Sequence, residues 1–315
     1  METEQTASRF DWAKGKVLTP ADFEIADKIA YIEGFIFSGA VTLIYSPPKM
    51  GKTWLGYGIS KRIASHEEIS EVHYLDMDNS VSTLKERNVH ESLLGNAKIH
   101  YHTRGTIGCE PLEQLEAIAL SATRDAYLGV LFFLDTTKDF VDTANASQAK
   151  LFMKHCTRLR DAGGTVIILH HSTKNKKQIS GDHVFTNTPD NVYEMKQTGK
   201  MGNVINYQLK VTHARGLVAD CRWSVDTQTL ELMAYDAVAS GLSEKDKQLA
   251  MLAIGVLENN PEGVSRSALI RGMGFKVTSD RTGVRIVEEL TGKYWTKEEK
   301  SHNAHLYHLM KKETP

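Results

Sequence analysis

Cysteine is scarce. The chain of 315 residues has three, Cys109, Cys156 and Cys221, and no two form a C-x-x-C pair. That spacing argues against a zinc site and a disulfide framework, and it suits a reducing cytosol, so a cytoplasmic location is expected. An excess of charge is also lacking: 38 Lys and Arg stand against 39 Asp and Glu, a formal net charge of −1. The whole chain shows no electrostatic signature of nucleic-acid binding, although a local basic surface would be enough for it. No apolar run approaches the roughly 18 residues of a membrane span, so no membrane partner is expected. The acidic, polar start METEQTASRFDW is not patterned as a signal peptide. Internal repeats and low-complexity tracts are missing too. What is present, 41% hydrophobic and 24% charged residues, is ordinary for a soluble globular protein. The length allows one large domain plus a small one.

The informative stretch is Val41–Trp54, VTLIYSPPKMGKTW. An apolar β-type run, Val41–Tyr45, feeds a short loop ending in Gly51-Lys52-Thr53, where a helical pattern opens. Strand, loop and helix in that order form a phosphate-binding loop, in which backbone N–H groups and a helix N-terminus surround phosphate oxygens. The candidate nucleotide contacts are Ser46, Pro47, Pro48, Lys49, Met50, Gly51, Lys52, Thr53 and Trp54. Lys52 would reach the β- and γ-phosphates, and the Thr53 hydroxyl would ligate Mg²⁺. One departure stands out: the pattern G-x-x-x-x-G-K-[ST] begins with Gly, and here that place is Ser46. Pro47 and Pro48 stiffen the loop and have no N–H to give.

Along the chain, residues 1–30 read as a polar lead-in, with a helix start at Pro20-Ala21-Asp22. Strands are expected at Val72–Leu75, Ile99–His102, Leu128–Leu134, Thr165–Leu169, Val192–Lys196 and Asn206–Thr212. A closing hairpin is expected from Arg222–Val225 and Leu230–Ala234. Helices are expected at Thr53–Ala64, Ser82–Asn88, Val89–Leu94, Pro111–Ala122 and Ser147–Ala162. Continuous apolar runs such as LGVLFFL suit strands buried on both faces of a parallel sheet. The fold class is therefore α/β, a mostly parallel sheet with an antiparallel extension, spanning 31–238. Ligands of such sheets sit beyond the carboxyl ends of the strands, where Lys52, Asp78, Asp135 and His171 all fall.

Asp135 ends the most hydrophobic strand, where a carboxylate holds Mg²⁺ beside Thr53 or else caps a helix. Asp78 is the candidate to orient or deprotonate water, with Asp76 as runner-up; an Asx turn with Asn79 and Ser80 is the competing reading. His171, after the strand TVIIL, is placed to sense a γ-phosphate or simply to pack. The following Lys174, Lys176 and Lys177 form a basic loop to which the loss of a γ-phosphate could be reported, or a solvated one. Arg215 follows a strand and suits an arginine finger acting in trans, or is a surface side chain. No arginine-rich lid segment precedes Asp135, which argues against a small-molecule kinase.

Composition shifts near Ser240-Gly241. Residues 241–315 read as three helices, 243–258, Ser265–Met273 and Ser279–Leu290 with Ser279 as N-cap. Two short strands follow, Lys293–Thr296 and His305–Leu309, around a turn EEKSHNA. That is a winged helix-turn-helix pattern. Arg281 and Arg285 fall on one side of the third helix, as DNA contacts or in local pairing with Glu289.

The ordered motifs YIEGFIFSGAVTLIYSPPKMGKTW, VHYLDMDNS, LFFLDTTKDF, VIILHHSTK and LKVTHARG resemble the RecA/DnaB-type ATPases, in particular the plasmid RepA-like hexameric replicative helicases. The resemblance covers about residues 30–235. It implies a RecA-like core, ring assembly as a homo-hexamer, Mg-ATP between subunits and single-stranded DNA in a central channel, with the winged helix free to engage duplex DNA. It makes Lys52 and Thr53 the nucleotide and Mg²⁺ ligands and Asp135 the acidic strand-end residue. It makes His171 the γ-phosphate sensor, Arg215 the finger, and Lys174, Lys176 and Lys177 part of the DNA-facing loop. Asp78 stands where these ATPases usually have a catalytic Glu. The implied function is a DNA-dependent ATPase, a replicative helicase of a phage or plasmid-like element; a RecA-like recombination mediator and an ATP-gated DNA-binding regulator are the alternatives.

Overall fold

A computed structural model describes residues 28–173, 179–234, 242–300 and 304–310. The helix start at 20–22 and the basic loop with Lys174, Lys176 and Lys177 lie outside them. After a small hairpin, β1 (Ala30–Ile32) and β2 (Ile36–Phe37), strand and helix alternate. The elements are β3 (Val41–Ser46), α1 (Lys52–Ala64), β4 (Glu71–Asp76), α2 (Val81–Glu86), α3 (Val89–Ser92), β5 (Ile99–Thr103), α4 (Arg104–Ile107) and α5 (Pro111–Ser121). Next come β6 (Val130–Asp135), α6 (Thr137–Phe140), α7 (Ala146–Asp161), β7 (Thr165–His171) and α8 (Val184–Asn187). Four strands then follow one another, β8 (Asn191–Met201), β9 (Val204–Ala214), β10 (Cys221–Asp226) and β11 (Leu232–Ala234).

The fold is α/β around one nine-stranded sheet, ordered β11-β10-β9-β8-β3-β7-β6-β4-β5. From β8 to β5 neighbouring strands are parallel, and β8 to β11 form the antiparallel extension. The central strands carry unbroken apolar runs because both faces are covered. Leu55, Ile59 and Ile63 of α1 pack with Ile44, Tyr74 and Phe133 on one face. Leu115 of α5 and Phe152, Cys156 and Leu159 of α7 pack with Leu43, Phe132 and Ile168 on the other.

Five strands differ from the sequence reading in ways that matter. β6 begins at Val130, not Leu128, because Gly129 has φ +73° and a Cβ there would lie 2.7 Å from the Glu68 carbonyl oxygen; a strand cannot run through a left-handed residue. β4 extends to Asp76 and β7 to His171, so Asp76, His170 and His171 are strand residues whose side-chain directions are fixed by alternation. β8 and β9 are 11 residues each. β8 pairs parallel with β3 only as far as Tyr45↔Glu194, then continues past the end of β3 as a ribbon with β9.

The C-terminal residues form α9 (Glu244–Glu258), β12 (Val264–Ser265), α10 (Arg266–Gly272), α11 (Arg281–Leu290), β13 (Trp295–Lys300) and β14 (Ala304–Leu309), with an antiparallel sheet ordered β12-β14-β13. They enclose their own apolar cluster, including Leu249, Ala253, Leu269, Ile286, Leu290 and Trp295. Asp280, not Ser279, caps α11: its Oδ1 accepts from the N–H groups of Thr282 and Gly283 at 2.8 and 3.1 Å. Glu298, Glu299 and Lys300, expected in a turn, belong to β13. Among the described residues, no helix is long and apolar enough to cross a membrane.

Candidate functional site

β3 delivers the loop Pro47–Gly51 to the carboxyl edge of the sheet. The reversal needs two left-handed residues, Lys49 at φ +63° and Gly51 at φ +79°. Gly51 is the N-cap of α1, and neither a capping side chain nor an acidic residue occupies the first turn. Its N–H groups therefore remain available to an anion. A cavity of about 530 Å³ opens there, lined on the loop side by Pro48, Lys49, Gly51, Lys52, Thr53 and Trp54. Ser46, Pro47 and Met50 do not line it. Ser46 and Pro47 bind the Lys52 ammonium from beneath, and Met50 packs against the core.

Gly51 is also closed from above. The Tyr207 hydroxyl, on β9, donates to the Gly51 carbonyl oxygen at 2.9 Å. A Cβ on Gly51 would lie 2.5 Å from that hydroxyl. Gly51→Ala is expected to weaken ATP binding at least about tenfold, since left-handed strain of about 1–2 kcal/mol adds to the clash. Adding Tyr207→Phe should restore part of the affinity and no more, because the strain remains. Calorimetric titration of the three forms checks this, and undiminished binding by Gly51→Ala would refute it.

Lys52 is 5% exposed. Its Nζ lies 3.1 Å from the Ser46 carbonyl oxygen, 3.3 Å from Ser46 Oγ, 3.1 Å from the Pro47 carbonyl oxygen and 3.2 Å from His171 Nδ1. Ser46, where the motif has Gly, thus supplies an extra acceptor for the ammonium. Burial lowers the Lys52 pKa to about 8, with Asp135 opposing and Lys138 assisting. Burial, and then Lys52, lower His171 to about 4. The His171 ring is therefore neutral near pH 7, with Nδ1 as the acceptor that an ammonium requires.

The carboxylates divide into two buried and one open. Asp76 and Asp135 are register partners on β4 and β6, 0% and 1% exposed. Asp135 Oδ2 accepts from the Tyr74 hydroxyl at 2.9 Å, while Oδ1 is buried with no hydrogen-bond partner among the described residues. Burial, first, and then Asp76 raise its pKa, opposed by Thr53, Tyr74 and Lys52. An orphaned buried carboxylate oxygen beside a hydroxyl suits a Mg²⁺ ion, which takes one or two protein oxygens and completes its shell with phosphate and water. Asp135 and Thr53 are the residues that could hold one. Asp76 is consumed by structure. It accepts from the N–H groups of Asp78 and Asn79, from Asn79 Nδ2, and from the Tyr101 hydroxyl at 2.6 Å. The Asx turn weighed for Asp78 is therefore made by Asp76, which leaves Asp78 on the cavity wall with its side chain 54% exposed and 3.4 Å from Lys138 Nζ.

Lys52, Thr53, Asp78 and His171 line one cavity, and Asp135 lies beneath it. Arg215 is not part of this group. Ala214 pairs with Asn191 and Asn191 with Thr42, so Arg215 lies at the opposite end of the sheet from Ser46. There it donates to the Asn187 carbonyl oxygen at 2.7 Å and lies 3.9 Å from Asp190. Arg285 is held by Asp246 at 2.7 Å and Glu289 at 2.9 Å, while Arg281 is exposed. Among the wall residues that sequence reasoning missed are Arg87, Lys138, Gln197 and Lys200. Arg87 sits 5.6 Å from the Trp54 ring centroid and donates to the Tyr57 hydroxyl at 3.4 Å. Gln197 and Lys200 reach the cavity because β8 overhangs β3. Only Lys138 had a local signal, as the first cation after the Asp135 strand end.

The model of the AAA domain family AAA_25 matches residues 16–177, which contain the loop, Asp78, Asp135 and His171. The chain belongs to this AAA family. Its members are P-loop ATPases, and the matched residues include the loop that opens into the cavity. Two solved structures are similar in part. One, an ATPase domain, aligns at 11% identity and a TM-score of 0.46, covering 62% of this chain and 85% of that one. The other, the RadB recombinase, aligns at 12% identity and 0.46, covering 64% and 93%. No curated protein matches the sequence.

Proposed function

We propose that this AAA protein is an oligomeric, DNA-dependent ATPase, a RecA-like replicative helicase similar to the plasmid RepA group. The observation that carries the reading is the cavity itself. Its described wall holds Lys49, Lys52, Arg87, Lys138 and Lys200 against a single acidic side chain, Asp78. Such a balance suits a triphosphate. Mg²⁺ on Thr53 and Asp135 would neutralise phosphate charge, Asp78 would take the proton of the attacking water, and His171 would sense the γ-phosphate. Arg215 faces away from its own cavity, which favours service to a neighbouring subunit and hence a ring, a hexamer by resemblance. The core would span 31–238, and the loop with Lys174, Lys176 and Lys177 would meet single-stranded DNA. Residues 241–315 would form a winged helix. Its contact with duplex DNA would rest on Arg281, because Arg285 is committed to Asp246 and Glu289.

The test is ATP turnover with and without single-stranded DNA, alongside strand displacement on forked substrates. DNA-stimulated turnover with unwinding is the expected result; turnover indifferent to DNA, with no unwinding, sinks the helicase reading. A second reading, a recombination mediator that uses ATP as an assembly switch, is favoured by Asp78 being short and paired with Lys138. Electron microscopy separates the two: closed rings support the helicase, open filaments the mediator.

A further inference from the structure

Opposite the phosphate loop, the cavity wall is built from Asp78, Asn79, Thr136, Lys138 and His171. His171 Nδ1 is already taken by Lys52 at 3.2 Å. Asp78 is an anion and repels phosphate. Lys138 is the one full positive charge among those wall residues. It stands on α6, three residues past the carboxylate that ends β6. Its Nζ rests 3.4 Å from Asp78 Oδ1 and 3.7 Å from Asp139 Oδ1. All three side chains keep solvent contact or lie at its edge, so the pairing is screened and readily exchanged.

We propose that Lys138 is a γ-phosphate ligand acting within its own subunit, and that Asp78 holds it in reserve until a triphosphate arrives. This rests on reading the cavity as an ATP site. The γ-phosphate carries more charge than one carboxylate and draws Lys138 away. Asp78 is then freed to act. In the hydrolytic step the water oxygen bonds to the γ-phosphorus while the bond from that phosphorus to the β–γ bridging oxygen breaks. The bridging oxygen leaves on ADP with the bonding electron pair, and the water proton passes to the Asp78 carboxylate. Lys138 balances charge on the transferring group, and the site distinguishes ATP from ADP by one side chain.

The experiment is calorimetric binding of a non-hydrolysable ATP analogue and of ADP, with Mg²⁺ present, to the full chain and four variants. Lys138→Gln should weaken the analogue roughly tenfold or more, the usual worth of one charge-assisted hydrogen bond, and leave ADP within about twofold. Lys138→Arg should keep the discrimination. Asp78→Asn should bind the analogue more tightly than the parent while turning ATP over more slowly, a sign that a merely structural role would not produce. Equal analogue affinity in parent and Lys138→Gln overturns the proposal, and so does an equal loss for ADP. Lys52→Ala separates the two levels: if it binds the analogue as the parent does, the reading of the cavity as an ATP site fails instead.

Discussion

Lys52→Ala is expected to abolish ATP turnover and to leave the fold at least as stable near pH 7. Turnover should fall by about three orders of magnitude or more, because preorganised charge on the transferring phosphoryl group is the main catalytic device of such sites. Stability behaves differently. The ammonium is nearly buried, its hydrogen bonds go to carbonyl, hydroxyl and imidazole acceptors rather than to a carboxylate, and burial lowers its pKa from 10.5 to about 8. Between about pH 8 and 10.5 the unfolded chain holds a proton on Lys52 that the folded chain has released. Stability therefore rises with pH across that window, and the cost of the buried charge is fully present below it. The alanine variant should lack that rise. Unfolding curves at pH 7, 9 and 10.5, set beside phosphate-release rates, test both halves. Residual turnover near the parent rate, or a large drop in stability at pH 7, would contradict this account of the site.

Trp295→Ala is expected to unfold the C-terminal unit and spare nucleotide binding. Trp295 is fully buried, and its Nε1–H donates to the Val287 carbonyl oxygen at 3.1 Å. It packs with Leu249, Leu269, Ile286 and Leu290 from three helices. Removing such a ring costs about 3–5 kcal/mol. A unit of this size has little reserve, since small domains bury only a modest fraction of their surface. Limited proteolysis should then clip the chain beyond residue 241 and leave a fragment that still binds ATP. Simultaneous loss of both parts would show that the proposed division at 238–241 is wrong. Phe133→Ala, deep against α1 in the sheet, is the reciprocal control, expected to cost nucleotide binding and to leave the C-terminal unit folded.

Much of the sheet was legible because its strands are dry on both sides. VLFFLD and TVIILHH need no alternation, only length and flanking turns, and the Gly-Lys-Thr loop fixes its own surroundings. What could not be read is what tertiary pairing decides. Asp76 and Asp78 look interchangeable in the string YLDMDNS. Register with Asp135 and the hydroxyl of Tyr101 turn Asp76 inward, and that leaves Asp78 to the cavity. The aromatic layer Tyr57, Tyr74, Tyr101 beneath the carboxylates comes from α1, β4 and β5, and no local pattern ties it to phosphate chemistry. Arg87 arrives from the end of α2, and Lys200 from a strand expected to stop at Lys196. Arg285 shows the reverse case. Its helical spacing suits a DNA face, yet Asp246, 39 residues away, takes the guanidinium.

The β8–β9 ribbon is a measuring rod. Ile205, near one end of β9, lies in the nucleotide cavity, and Arg215 lies ten positions on, just past the other end. At about 3.3 Å per residue the two are roughly 33 Å apart. No side chain spans that distance, and a strand embedded in a nine-stranded sheet does not fold back. On the proposed reading of Arg215 as a finger acting in trans, a solitary subunit would keep its nucleotide at one end of the rod and offer its arginine only to a neighbour. Rate per chain would accordingly climb with protein concentration and level off once every rod has a site at its far end, so that a dilution series alone reads out whether the subunits work in company.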